Sequence, residues 1–210
     1  PSVEKILDSG EYDNVLFVDS SQNLELITND DDHDHPSDPH IWLDPLYAKE
    51  QVMAIKDAMI KVDVNNAQHY EDNAGVYLAK LDELDSKIKS ELSNCNKDTI
   101  VPFHNAFSYF GTRYGIQIHP LSGISPESEA TASDLKNIID FIKENQIKVI
   151  FAEELVDPKL AQVLADEAGV QILLLSPLEG ITSEEQQKGV SYLDKMEENL
   201  KNIKMALECT

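Results

Sequence analysis

Histidine is the residue to follow in this chain. Three of its six histidines, His33, His35 and His40, stand in the run DDDHDHPSDPHIW, and His104 closes an apolar stretch in VPFHNAF. Imidazole suits zinc, whereas calcium and manganese call for more oxygen. His33 and His35 sit among Asp30, Asp31, Asp32 and Asp34. They read as an acidic, solvated tract that can catch metal weakly and hand it on. His40 is held between Pro39 and the apolar pair Ile41 and Trp42, which marks an ordered segment. His69, on a helical pattern, and His119, at a strand end before proline, read as structural.

Taken singly, each remaining candidate has a bland reading. His104 would be a helix-entry histidine, His40 a turn residue, and Glu179 in SPLEG a solvated loop acid. Taken together, two imidazoles and one carboxylate make a donor set that zinc favours. The three are far apart in sequence, so only the fold can unite them.

The elements that must do so alternate between strand and helix. A strand is expected over residues 14 to 20, then a polar loop to residue 40. Pro45 opens a helix with apolar residues at 46, 52, 55, 59 and 62. Residues 65 to 92 carry Tyr70, Tyr77, Leu78, Leu81, Leu84, Ile88 and Leu92 at helical spacing. At ~1.5 Å per residue this is a rod of ~40 Å, long enough to span between two lobes. Beyond it come strands at 98 to 103, 116 to 121, around IKVIFAE and around VQILLLS, each followed by a helical pattern. The last helix is expected over 183 to 207, with Ser133 and Ser183 as N-caps and Gly169 as a C-cap.

This alternation predicts an α/β fold whose carboxy-terminal lobe is a four-stranded parallel sheet flanked by helices. Ligands bind beyond the carboxyl ends of such strands. Here those ends are PFH, HPLSG, FAEE and LSPLEG, so His104 and Glu179 share one sheet edge. Glu153 and Glu154 lie on that edge too, as candidate acceptors for an imidazole N–H or as salt-bridge partners.

The totals exclude several classes. A formal charge of −22 disfavours nucleic acid and anionic lipid. No apolar stretch reaches the ~18 residues of a membrane helix. The first residues look like the middle of a domain, so the natural protein is expected to begin upstream. There is no GxSxG and no glycine-rich phosphate loop after a strand, which argues against nucleophilic and nucleotide chemistry. Cys95 and Cys209 each end a helical pattern. They are either a disulfide, implying an oxidising compartment, or two free thiols.

DPHIWLDP, HYEDNAGVYLAKLDELD, VPFHNAFSYFGTRYGI, SGISPESEATASDL, VIFAEELVDPKLAQVLADEAGV and LSPLEGIT occur here in that order. The set resembles the zinc and manganese receptors of ABC importers, the helical-backbone solute-binding proteins. The resemblance implies two α/β lobes joined by one rigid helix with metal between them. It divides the chain into a remnant of the first lobe (1–62), the interlobe helix (63–94) and the carboxy-terminal metal-binding lobe (95–210).

The resemblance also implies ligands. His40 matches the family's DPHxW histidine, and His104 matches that of FHxAFxYF. Manganese receptors carry a carboxylate at the second position, so Zn2+ is favoured over Mn2+. Where many members have the aspartate of DPLG, this chain has Ser176, and Glu179 matches the PLEG glutamate of a zinc-receptor branch. The family's first ligand lies ahead of residue 1, which leaves three ligands plus water, or His33 or His35 recruited as the fourth.

The implied function is extracytoplasmic zinc capture for delivery to an ABC permease, with no chemical step. The chain is expected to be anchored in its full-length form, and the shortened lobe to self-associate. Two other readings stand beside it. One is a zinc hydrolase with an open coordination position and Glu153 or Glu154 as base. The other is an adhesion protein that keeps the receptor fold.

Overall fold

The computed structural model describes residues 14–28, 37–123, 132–155 and 159–210, together with Ile6, Tyr12 and Asp157. Two helices lead. The first, α1 (Pro45–Val62), starts on proline and is capped by Asp44, whose side chain accepts from the Leu46 N–H. A 3-10 turn at Val64–Asn66 reverses the chain into α2 (Ala67–Glu91), the expected rod at slightly shorter length. Leu81, Leu84 and Ile88 bury one stripe of α2. Its polar side is tied to α1 through Lys49 and Asp82.

After the rod follow β1 (Thr99–Ile100), α3 (Ser108–Tyr114), β2 (Gln117–Ile118), α4 (Ala132–Glu144), β3 (Val149–Ala152), α5 (Lys159–Ala168) and β4 (Gln171–Leu174). Then come α6 (Ser183–Lys188) and α7 (Tyr192–Ala206). The strands form two parallel pairs, β1 with β2 and β3 with β4. A hydrogen bond from the Phe151 N–H to the Val101 carbonyl joins the pairs edge to edge. The expected single four-stranded sheet is therefore two short parallel pairs, with one backbone bond between them among the described residues. One cause is local. His119 donates to Ile100 and Leu121 donates to Pro102, but the intervening bond from residue 102 is missing because proline has no N–H.

Side chains alternate across these strands and fill two cores. Ile100 and Phe151 join Leu84, Ile88, Phe107, Phe110, Met196, Leu200 and Ile203 under α2, α3 and α7. Val101 and Ile150 face the other way, against Ile138, Ile142 and Leu164 of α4 and α5. Helices therefore cover both faces of the sheet.

Four expectations need correction. Residues 14 to 20 form no strand; Val15, Leu16, Phe17 and Val18 are exposed, with no neighbouring strand among the described residues to pair them. The last helix is two helices. Gly189 takes a left-handed φ of 68° and ends α6, and Ser191 restarts the chain as the N-cap of α7 in a capping box with Asp194. Ser183 is the first residue of α6, and Thr182 is its cap. Ser133 lies inside α4, which begins at Ala132. Gly169 ends α5 with a φ of 72°, as anticipated.

Cys95 and Cys209 are joined by a disulfide. It fastens the end of α2 to the end of α7, beside backbone bonds from Lys97 to Leu207 and from Thr210 to Asn94. No helix among the described residues is long and apolar enough to cross a membrane.

Candidate metal centre

His40 stands on a segment fixed before the site is reached. Thr28 and Ser37 form an antiparallel bridge, and the Asp38 N–H donates to the Ile27 carbonyl at 2.9 Å. The Tyr109 hydroxyl donates to the Asp38 carbonyl at 2.8 Å and accepts from the Ile27 N–H at 3.0 Å. A 3-10 turn at Ile41–Leu43 then leads into the Asp44 cap of α1. Arg113 braces that cap through a 2.6 Å ion pair with Asp44. The pairing raises the Arg113 pKa, against an opposing effect of burial.

His104 follows β1 at the carboxyl edge of the sheet and is 0% exposed; His40 is 1% exposed. The two rings are held by the same device. One oxygen of Asp38 accepts from the His40 backbone N–H at 2.9 Å and from its Nδ1 at 2.7 Å. One oxygen of Glu153, at the end of β3, accepts from the His104 N–H at 3.2 Å and from its Nδ1 at 2.5 Å. A carboxylate on Nδ1 fixes the proton there and leaves Nε2 as a lone pair.

Those lone pairs face each other. His40 Nε2 lies 3.3 Å from His104 Nε2, and Glu179 Oε1 lies 3.2 Å from the first and 3.7 Å from the second. In the neutral tautomer with the proton on Nδ1, three acceptors converge here. Their ligand atoms all lie within 4.8 Å of one another. A tetrahedral zinc shell with bonds of ~2.0–2.1 Å has its ligand atoms ~3.3–3.4 Å apart. The cluster fits a small divalent cation, and the carboxylates of Asp38, Glu153 and Glu179 supply negative charge around it.

Glu179 is the accessible member, with 35% of its side chain exposed. Its loop leaves β4 through Leu175 and Ser176. The Ser176 hydroxyl accepts from the Leu178 N–H at 3.3 Å, and Leu178 is held at a left-handed φ of 57°. Trp42 donates to the Pro177 carbonyl at 2.8 Å, which binds the loop to the His40 segment. Gly180 lies so close to Leu155 that a Cβ there would come within 2.8 Å of its Cδ1. Beside the loop opens a cleft of about 360 Å³ bounded by Trp42, Leu178, Ile181, Tyr192 and Lys195.

The other candidates fall as follows. Glu153 touches His104, whereas Glu154 turns away and pairs with Lys195. Ser176 is buried and bonded to its own loop and to Asn199, outside the cluster. His69 lies exposed on α2 against Asn73. His119 stacks on Phe141 at 3.7 Å, and burial pushes its pKa down. His33 and His35 lie outside the described residues. Sequence reasoning missed Asp38, although the spacing Asp-x-His in DPH was a usable signal. It also missed Lys195 and Asn199, which look like ordinary polar positions of an amphipathic helix.

Comparison with known proteins agrees with this geometry. The chain is 34% identical over 218 aligned residues to the high-affinity zinc uptake system protein ZnuA of Bacillus subtilis, covering 99% of this chain and 67% of that protein. It is 33% identical to the zinc-binding lipoprotein AdcA of Streptococcus pneumoniae, covering 98% of this chain and 43% of that one. The chain thus spans less than half of AdcA. The Zn(II)-bound ZnuA-like domain of the same AdcA superposes with a TM-score of 0.83 at 32% identity, covering 98% of this chain and 75% of that domain. Residues 1–206 match the family described as zinc-uptake complex component A, periplasmic, and the chain belongs to that ZnuA family of zinc-uptake proteins.

Proposed function

We propose that this chain binds Zn2+ outside the cytoplasm through His40, His104 and Glu179 and delivers it to an ABC-type permease. The observation that carries the reading is the convergence of two Nε2 lone pairs and one carboxylate oxygen at tetrahedral spacing. Two nitrogens and one oxygen favour zinc over manganese. Membership of the zinc-uptake family supports a receptor with no chemical step. Glu153 is bonded to both N–H groups of the His104 residue and Glu154 to Lys195, which gives each a role other than that of a hydrolase base.

Three protein ligands leave one tetrahedral position, for water or an auxiliary ligand. His33 and His35, seven and five residues before His40 in the sequence, are assigned the auxiliary role of early captors. Residues 1–62 serve as part of an amino-terminal lobe, 63–94 as the backbone helix and 95–210 as the metal-binding lobe. In support, α2 is braced to α7 by Lys87–Glu197 and Lys204–Glu91 pairs. With both imidazoles buried and Glu179 partly open, the ion leaves on the Glu179 side by a small movement of that loop. The exposed run Val15 to Val18 is the surface through which this chain self-associates.

Zinc K-edge X-ray absorption tests the site. The expected shell has two imidazole nitrogens and light-atom oxygen at ~2.0–2.1 Å. A shell of oxygens without imidazole scattering would overturn the assignment.

A further inference from the structure

We propose that one face of α7, formed by Tyr192, Lys195 and Asn199, is the template that sets the relative positions of the three metal-ligating segments. The inference rests on the metal site proposed above. The three residues are spaced by three and four, so they lie on one side of the helix. Each reaches a different part of the site.

Tyr192 donates to the Trp42 carbonyl at 2.8 Å, two residues beyond His40. Asn199 brackets Ser176 from both sides, accepting from its N–H at 2.8 Å and donating to its carbonyl at 2.7 Å. That grip falls three residues before Glu179. Lys195 pairs with Glu154, whose neighbour Glu153 holds His104, and with Glu185 at 2.6 Å. The other oxygen of Glu185 accepts from the Thr182 N–H at 2.8 Å and from its hydroxyl at 2.9 Å, three residues after Glu179. The Glu179 loop is therefore fastened at both ends to one helix. The same helix also holds the segments carrying His40 and His104.

Two features argue that this face serves position rather than bulk stability. Lys195 and Asn199 are each 2% exposed. Apolar residues of similar volume in such places are commonly as stabilising as buried ion pairs, or more so. Leu178 keeps a left-handed φ of 57°, uncommon outside glycine, within the stretch fastened at both ends. A loop free at one end would relax it.

The test uses the 210-residue chain and its variants Lys195→Met, Asn199→Leu and Tyr192→Phe. Affinity for zinc is read by competition with a chromophoric chelator. Co2+ reports site geometry through its visible spectrum, and circular dichroism reports melting of the metal-free chain. Leu164→Ala, in the core under α5, serves as a destabilised control remote from α7. The expected result is a ~10–100-fold loss of zinc affinity in folded Lys195→Met and Asn199→Leu, with an altered Co2+ spectrum. Leu164→Ala should melt earlier yet keep both affinity and spectrum, and Lys195→Arg should recover part of the loss.

Tyr192→Phe removes one hydroxyl and keeps the ring, so it gives a smaller loss in the same direction even if the other two variants fail to fold. Folded variants with unchanged affinity and spectrum would overturn the template while leaving the site intact, provided His104→Ala abolishes binding. If His104→Ala binds as the unaltered chain does, the site itself is wrong and the template falls with it.

Discussion

His40 and His104 point their Nε2 atoms at each other across 3.3 Å, and each ring is pinned from behind by a carboxylate on Nδ1. With both rings neutral and no cation bound, this arrangement sets lone pair against lone pair in a site open only on the Glu179 side. With one, every donor is already aimed. The rings need no reorientation on binding, so the ordering cost is met when the chain folds.

Weakening the pins should therefore weaken zinc binding. Asp38→Asn and Glu153→Gln each leave an oxygen on Nδ1 but remove its charge, lowering the basicity of Nε2. The expected loss is ~10–100-fold in zinc affinity, read by chelator competition. Unchanged affinity in both would mean that the carboxylates serve only the fold.

Glu179 should behave in the opposite sense toward stability. Its carboxylate has no ion pair with a lysine or arginine among the described residues. It lies 3.2 Å and 3.7 Å from the two Nε2 atoms, which are lone pairs in the neutral tautomer with the proton on Nδ1. Glu179→Gln should leave the metal-free chain as stable or more stable in a thermal melt. The zinc-induced rise in Tm should shrink, because that rise scales with affinity. A metal-free chain clearly destabilised by Glu179→Gln would contradict this.

The candidate ligands were legible in the sequence because the alternation of strands and helices points to one sheet edge, where PFH and LSPLEG both end. Family resemblance supplied His40, which composition alone leaves as a turn residue. What holds the ligands was less legible. Asp38 acts through a bond to a residue two positions on, a local relation visible in DPH once sought. Lys195 and Asn199 were hidden because a buried lysine and a solvated one look alike on a helical pattern; burial depends on what the loop after β4 does. The strand expected at 14 to 20 failed for a related reason. Apolar residues make a strand only where a neighbour completes the ladder. The break at Gly189 was readable, since Gly-Val-Ser with Asp194 three residues after Ser191 is a helix stop followed by a start.

The Lys195–Glu185 pair sets a pH dependence. The hydrogen bond from Lys195, then that from Thr182, lowers the Glu185 pKa to about 2. Its contribution to stability is full above the ordinary carboxylate range and is lost as pH falls through about 2. Lys195 is shifted upward: burial opposes the shift, but the bonds to Glu154 and Glu185 outweigh it. Its contribution is full below the usual lysine range and lost only as pH rises through the raised value. Glu185→Gln should thus be less stable than the unaltered chain at neutral pH in urea unfolding. The difference should narrow as pH falls from the carboxylate range toward 2. A constant difference would show that Glu185 acts as a cap rather than as a charge.

The disulfide should contribute to stability and not to binding. Cys95 and Cys209 close a loop with a sequence separation of 114, at the far end of α7 from Tyr192. Reduction, or Cys95→Ala with Cys209→Ala, should cost ~2–5 kcal/mol in urea unfolding. Zinc affinity of the folded chain should stay the same. A large loss of affinity on reduction would link the carboxy-terminal end of α7 to the site.

The measurement that bears most directly on the central claim is a calorimetric zinc titration of this chain and of His104→Ala, with manganese as competitor. The expected result is one tight zinc per chain, little displaced by manganese, and a loss of binding by orders of magnitude in His104→Ala. Weak binding that is indifferent to His104 would contradict the account.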